Sequence, residues 1–388
     1  MRIKFLAFAA LLGVTACGST GSQGAASSSR VSASGQPNAP LFAVVSGLPG
    51  GQLVNFYPLP ATASVKIVDA NGQVRATATF VPPPAPLIGP AAVLLQSPVR
   101  TAAGAAFYSD NAGAVHKLMP DGATSIVATF PLTSPQQELT YAVSPDGAHL
   151  IAIVVTLPPV HNPPPQSLGD PLYQVGGRWS VKVQTADSGG PTTTTFERDL
   201  GPTYPVPQLT EIVGWDNKGP LATLSTNLGA QQAPPSAHIF GKLIHIASDG
   251  THLEAIGGAD CAAADELPDG TVLCDSDWRS FSVRTSAGAI LWQRSLPTDD
   301  YYFGLWLSPD GNAVAGRNAV FTASSVASPA RHGQTASSQL VAVGWLNVNT
   351  VVAADQQSGQ LSLYQASSMV KLRDLGISGV FAGLLTAS

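Results

Sequence analysis

Apolar runs of about five to eight residues recur along most of the chain, broken by turns rich in Gly, Pro, Asp and Asn. Some runs alternate apolar with polar residues and others are apolar throughout, and both patterns at this length predict short strands. Two passages are near copies: "YAVSPDGAHLIAIVV" from Tyr141 and "LWLSPDGNAVAGRN" from Leu305. Each reads as a strand, a Ser-Pro-Asp-Gly turn and a second strand. In such a turn Pro presets φ, and Gly takes the conformation that other residues resist.

Extending this reading gives units of four strands, A to D. One unit runs "TYAVS / HLIAIVV / WSVKVQT / TTTTFERDL" and the next runs "LTEIVGWDNKG / PLATLST / KLIHIASDG / HLEAIGG". Three more follow: "CAAADELPDG / TVLCDSD / FSVRTSAG / ILWQRSL", then "YFGLWLSPDG / NAVAGRN / AVFTASS" with an indistinct fourth strand, then "LVAVGWLNVNT / VVAADQQ / QLSLYQA / MVKLRDL". Upstream lies "AAVLLQSP / AAFYSDN / AVHKLMPDG / SIVATFPL". Before it stands a three-strand unit, "LFAVVSG / SVKIVDANG / VRATATF", and the chain ends on one unmatched strand, "SGVFAGLL". Three strands at one end and one at the other complete a single blade, which leaves no open sheet edge between the termini. The expectation is an all-β fold: a single seven-bladed β-propeller of four-stranded antiparallel blades, closed by the C-terminal strand completing the N-terminal blade. The repeat of about 40–50 residues favours blades over a β-sandwich. The "SPDG" turns at Ser144 and Ser308, with looser forms at Leu267 and Trp215, resemble the repeats of TolB-like and WD-repeat-like propellers. That resemblance implies the fold and leaves activity open.

Composition agrees. Charged residues make up 11% of the chain, against 38 Gly and 32 Pro, which is poor in helix formers and rich in turn formers. The net charge of −5 offers no basic stripe, so no nucleic-acid partner is expected.

The N-terminus has its own pattern. Arg2 and Lys4 precede an apolar run from Phe5 to Val14, which is too short to span a bilayer, and the run closes on Val14-Thr15-Ala16-Cys17. This resembles the lipobox of bacterial lipoproteins, with Val14 where Leu is usual, and implies that Cys17 is lipidated and becomes the mature N-terminus. Residues 18–38 are almost wholly Gly, Ser, Ala and Gln, a flexible tether. The expected organisation is a signal peptide over 1–16, lipidated Cys17 and linker over 17–40, and the propeller over 41–388. The expected location is a bacterial cell envelope, on the outer or periplasmic side of a membrane, with the lipid as sole anchor and the body a monomer. Cys261 and Cys274 flank the turn "ELPDGT" and are expected to form a disulfide in that oxidising compartment.

Candidate chemistry is sparse. Trp215, Trp306 and Trp345 recur near the ends of A strands, a place that suits packing between blades. His238, His245 and His252 fall at intervals of seven residues, which puts them in different elements, as surface or turn residues rather than metal ligands. Asp275 and Asp277 lack the glycine and later glutamate of a calcium loop. The strings at Ser109-Asp110-Asn111 and Ser368 to Lys371 imitate penicillin-binding motifs in the wrong order and without the third. No catalytic residue, metal or cofactor is assigned.

The long Pro-rich insertions are B–C loops and D–A crossovers, which share one face of a propeller, whereas the A–B turns are short. Stiff loops on a rigid scaffold concentrate binding residues. The candidates there are His161, Tyr173, Arg178, Trp278 and Arg279 from B–C loops, with Asp300, Tyr301 and Tyr302 from a crossover. The expected function is an envelope-anchored binding or scaffolding module for an envelope protein or small ligand. The alternative is a propeller enzyme with lactonase- or lyase-like activity and a site in the channel.

Overall fold

The computed structural model describes residues 40–47, 62–84, 97–156, 179–201, 208–225, 242–247, 249–275, 280–296, 305–328, 340–355 and 358–386. They form seven four-stranded antiparallel sheets arranged as the blades of a ring. Blade 1 holds β1 (Leu41–Ser46), β2 (Ala63–Asp69) and β3 (Val74–Phe80). Blade 2 holds β4 (Val99–Ala102), β5 (Ala105–Ser109), β6 (Ala114–Leu118) and β7 (Thr124–Thr129). Blade 3 holds β8 (Gln137–Val143), β9 (His149–Thr156), β10 (Trp179–Asp187) and β11 (Thr192–Gly201). Blade 4 holds β12 (Gln208–Trp215), β13 (Pro220–Ser225), β14 (Lys242–Ile246) and β15 (His252–Ala255). Blade 5 holds β16 (Ala262–Glu266), β17 (Val272–Asp275), β18 (Ser280–Arg284) and β19 (Ile290–Ser295). Blade 6 holds β20 (Trp306–Leu307), β21 (Ala313–Gly316), β22 (Ala319–Thr322) and β23 (Val326–Ala327). Blade 7 holds β24 (Leu340–Asn347), β25 (Thr350–Asp355), β26 (Gln360–Gln365) and β27 (Lys371–Ser378). The last strand, β28 (Val380–Leu384), pairs with β1 and completes blade 1 in the order β28-β1-β2-β3.

Burial explains why the B strands read as unbroken apolar runs. In β9, Ile151, Ile153 and Val155 face blade 4, while Leu150, Ala152 and Val154 face blade 2. Successive side chains of a strand point to opposite faces, so a strand with a blade on each side is apolar at every position. Seven clusters of buried apolar residues follow, each shared by two neighbouring blades. Trp345 packs among Ala315, Val320 and Tyr364 between blades 6 and 7, and Trp215 packs against the cluster between blades 3 and 4.

The two Ser-Pro-Asp-Gly copies have one internal network. Ser144 Oγ donates to Asp146 and accepts from the His149 N–H at 2.9 Å, and Ser308 Oγ donates to Asp310 and accepts from the Ala313 N–H at 2.9 Å. Gly147 and Gly311 take φ of 73° and 71°. The serine is therefore as much a part of the turn as the Pro and Gly.

Each innermost strand has one sheet edge facing the channel, and side chains from the next blade satisfy part of it. Thr140 Oγ1 on β8 accepts the Ile212 N–H of β12 at 2.9 Å, and Asp265 on β16 accepts the Leu307 N–H of β20 at 2.7 Å. The indole of Trp345 donates to the Trp306 carbonyl at 2.9 Å, and Arg100 Nε donates to the Tyr141 carbonyl at 3.1 Å. Buried backbone groups left unpaired are costly, so these bonds tie blade to blade around the channel.

The Cys261–Cys274 disulfide is present, with a Cα–Cα distance of 5.1 Å, and both cysteines are buried between blades 4 and 5. One strand lies elsewhere than its sequence pattern suggests. The inner strand of blade 2 is Val99–Ala102, whereas most of "AAVLLQSP" lies outside the described residues. A four-residue "VRTA" strand carries no apolar signal because Arg100 serves the channel and not the core. The indistinct strand of blade 6 is β23, only two residues long.

Candidate functional site

The inner strands of all seven blades converge on a cavity of about 510 Å³ at the A–B turn end of the channel. Its wall includes Trp215, Trp306 and Trp345, and its ionisable residues are Arg100, Asp216, Asp265 and Glu266. Repetition of tryptophan near the end of an A strand thus has two outcomes at once: packing between blades and an aromatic contribution to the channel wall.

Asp216 opens the A–B turn of blade 4, in "WDNKG". One oxygen accepts the N–H groups of Lys218 at 2.8 Å and Gly219 at 3.0 Å, which fixes the turn, and the other meets His245 Nε2 at 2.8 Å. His245 is 3% exposed, which corrects its reading as a surface or turn histidine. It sits on β14, the third strand of blade 4, where the buried Asp216 carboxylate fixes its ring. Acid and histidine meet because only β13 separates β14 from β12.

Glu266 ends β16 on the neighbouring blade, and its carboxyl group is hydrogen-bonded to that of Asp216. Its Oε1 atom is buried and has no hydrogen-bond partner. Burial, then the Asp216 charge and hydrogen bond, then Asp265 and Asp269, push its pKa up to about 9. At neutral pH Glu266 therefore keeps its proton beside Asp216. Two acids in contact cannot both ionise cheaply. The adjacent Asp265 is pushed up to about 7 by burial, against the N–H groups of Leu307 and Glu266 that stabilise its charge.

Arg100 is the cation of this wall. Its guanidinium donates to the carbonyls of Tyr141, Ser97 and Val99, and the Glu211 charge acts on it. On β8, Glu138 is pushed up to about 8, first by burial and then by the Glu211 charge. The channel therefore carries more acids than the sequence pattern revealed. These acids belong to blades 3, 4 and 5, so no acid recurs through all seven repeats to mark the site. No group of three His, Cys, Asp or Glu side chains among the described residues is arranged to hold a metal ion.

The loop-face candidates His161, Tyr173, Arg178, Trp278, Arg279, Asp300, Tyr301 and Tyr302 all lie outside the described residues, as does Cys17. The penicillin-binding-like strings are separated: Ser109 ends β5 in blade 2, and Lys371 begins β27 in blade 7.

No family model matches the sequence, and no curated protein matches it. Among solved structures, an oligogalacturonate lyase in complex with manganese is similar at 12% identity and a TM-score of 0.46, over 78% of this chain and 81% of that one. An oligogalacturonate lyase from Vibrio parahaemolyticus is similar at 9% identity and a TM-score of 0.46, over 87% and 96%. The β-propeller domain of Cps50 (Swd1) from Myceliophteria thermophila is similar at 13% identity and a TM-score of 0.41, over 74% and 89%. These likenesses are of fold alone.

Proposed function

We propose that this protein is an envelope lipoprotein, anchored through Cys17, whose propeller is a binding module that receives a small ligand in the channel-end cavity. The observation that carries the reading is the cavity itself: about 510 Å³, walled by the inner strands of all seven blades and combining indole rings with a few polar groups. Ligand sites are typically concave, mostly apolar and furnished with a small number of placed polar groups, at volumes of about 300–1,000 Å³. The lipobox-like sequence ending at Cys17 and the Gly- and Ser-rich composition of 18–38 support placement of this body at a membrane surface.

Two parts are tested separately. Replacing Cys17 by Ser should release the propeller from the membrane fraction or leave an uncleaved precursor; retention of a cleaved, unlipidated product would refute the anchor. Filling the cavity by Leu267→Trp should abolish ligand binding, whereas shortening the loop that holds His161, or changing Tyr301 and Tyr302 to Ala, should leave it intact. The reverse result would move the site to the Pro-rich loop face, with Trp278, Tyr301 and Tyr302 as anchors for a protein partner.

The enzymatic alternative draws on the same cavity. Glu266, which burial and the neighbouring Asp216 keep protonated, is a general acid of the kind hydrolytic and lyase chemistry uses. Turnover of a lactone or glycoside lost in Glu266→Gln, with binding retained, would favour it.

A further inference from the structure

We infer that the ligand of the channel-end cavity is a small organic ammonium ion, its charged head lying between the carboxyl groups of Asp216 and Glu266 and its apolar body along the tryptophan-bearing wall. This rests on the reading of that cavity as the binding site and adds the chemical class of the occupant.

Charge balance is the first argument. Three acids and one base line the cavity: Asp216, Asp265 and Glu266 against Arg100. Arg100 spends donors on three backbone carbonyls and faces Glu211, so it does not serve the other acids. An anionic ligand would meet three carboxyl groups across the cavity. A neutral one would leave the second carboxyl obliged to keep its proton.

Hydrogen-bonding capacity is the second. Asp216 already accepts from Lys218, Gly219 and His245, so its position is fixed before any ligand arrives. Glu266 has a buried oxygen with no donor. An ammonium group brings up to three donors and no acceptor, which matches a fixed carboxylate beside an oxygen lacking a partner. The third argument is the wall. Trp215, Trp306 and Trp345 all line this cavity and give the apolar body of the ligand a surface to cover.

Binding then has a proton balance. In the free protein, the shared proton on Glu266 holds the two carboxyl groups together. When an ammonium ion enters between them, that proton leaves to bulk water and the ammonium charge replaces it; no covalent bond forms or breaks. The groups facing Glu266 are Asp216, Asp265 and Asp269, with His245 behind Asp216.

The test uses the full chain with phenethylamine and tryptamine as ammonium probes and 2-phenylethanol and tryptophol as neutral counterparts. Calorimetry in buffers of different ionisation enthalpy counts protons. The amines should bind at least about tenfold more tightly than the alcohols at pH 8, release up to one proton each, and gain up to about tenfold in affinity per pH unit from pH 6 to 8. Glu266→Gln should remove the preference for amines and the proton release. Equal binding of amines and alcohols, with no proton release, would overturn the ammonium assignment and leave the cavity reading standing. Absence of binding by all four probes, with unperturbed indole resonances, would overturn both. The proton count in wild-type protein decides the matter if the variant does not fold.

Discussion

Glu266 and Asp216 show how much a single residue's meaning depends on its neighbours across a blade interface. In sequence, one ends "AAADE" and the other opens "DNKG", and nothing links them. The ring buries Glu266 and brings it against Asp216, and burial first, then that contact, raises its pKa to about 9. The stability consequence has a definite sign. A carboxyl group whose folded value lies above its ordinary 4.5 holds a proton that the unfolded chain has lost. Its contribution is therefore complete below about pH 4.5 and is lost as the pH rises to about 9, at up to about 1.4 kcal/mol per unit. Asp265 adds the same trend up to about pH 7. Urea unfolding should accordingly show stability falling between about pH 5 and 9, and because Glu138 adds the same trend up to about pH 8, Glu266→Gln should flatten the part above pH 8. A rising or level wild-type profile would show that the carboxyl pair does not form. At the same scale, Thr140→Val keeps the shape of its side chain and removes the acceptor of the buried Ile212 N–H. The expected loss is about 1–3 kcal/mol, read from the shift in denaturation midpoint.

Among the elements, legibility followed burial. Strands with a blade on both faces, such as β9 and β25, are apolar throughout and were readable as they stand. The short inner strands were less so, because β4 and β20 contribute two to four residues and include channel-lining side chains such as Arg100 and Trp306. The Cys261–Cys274 pairing was readable from the turn between the cysteines, since antiparallel neighbours on either side of a hairpin lie opposite. The site was not, because its polar members differ in type and position from blade to blade: Arg100 on β4, Asp216 just after β12, and Asp265 and Glu266 on β16. Removing the disulfide by changing both cysteines to Ala should lower stability by up to about 3 kcal/mol, the loop-closure value for its sequence separation of 13. An unchanged midpoint would mean that the interface between blades 4 and 5 does not depend on the cross-link. Closure has its own single-residue probe. Gly379 has φ of +145°, and a Cβ there would lie 2.2 Å from the Val45 carbonyl oxygen. Gly379→Ala should therefore disturb the pairing of β28 with β1 and cost about 2–4 kcal/mol, whereas Gly376→Ala, where a Cβ meets nothing within 4 Å, should lose only the φ-related part.

The ring as a whole explains why a chain with few charges and no recognisable catalytic motif can still build a defined site. Seven inner strands meet around one channel, so any polar residue placed there is held by packing on both sides. The ends of the chain are joined by the pairing of Phe42 with Leu384 and Ala43 with Gly383, and the Gly104 N–H donates to the Thr386 carbonyl across to blade 2 at 2.8 Å. Channel, closure and cavity are therefore one structure. The most direct test of the account is indole N–H NMR on the full chain during titration with the amine probes, in wild type and in Leu267→Trp. Resonances of Trp306 and Trp345 should move in the wild type and stay still in the filled variant. Shifts confined to Trp278, which the sequence assigns to the loop face, or shifts that persist undiminished when the cavity is filled, would contradict it.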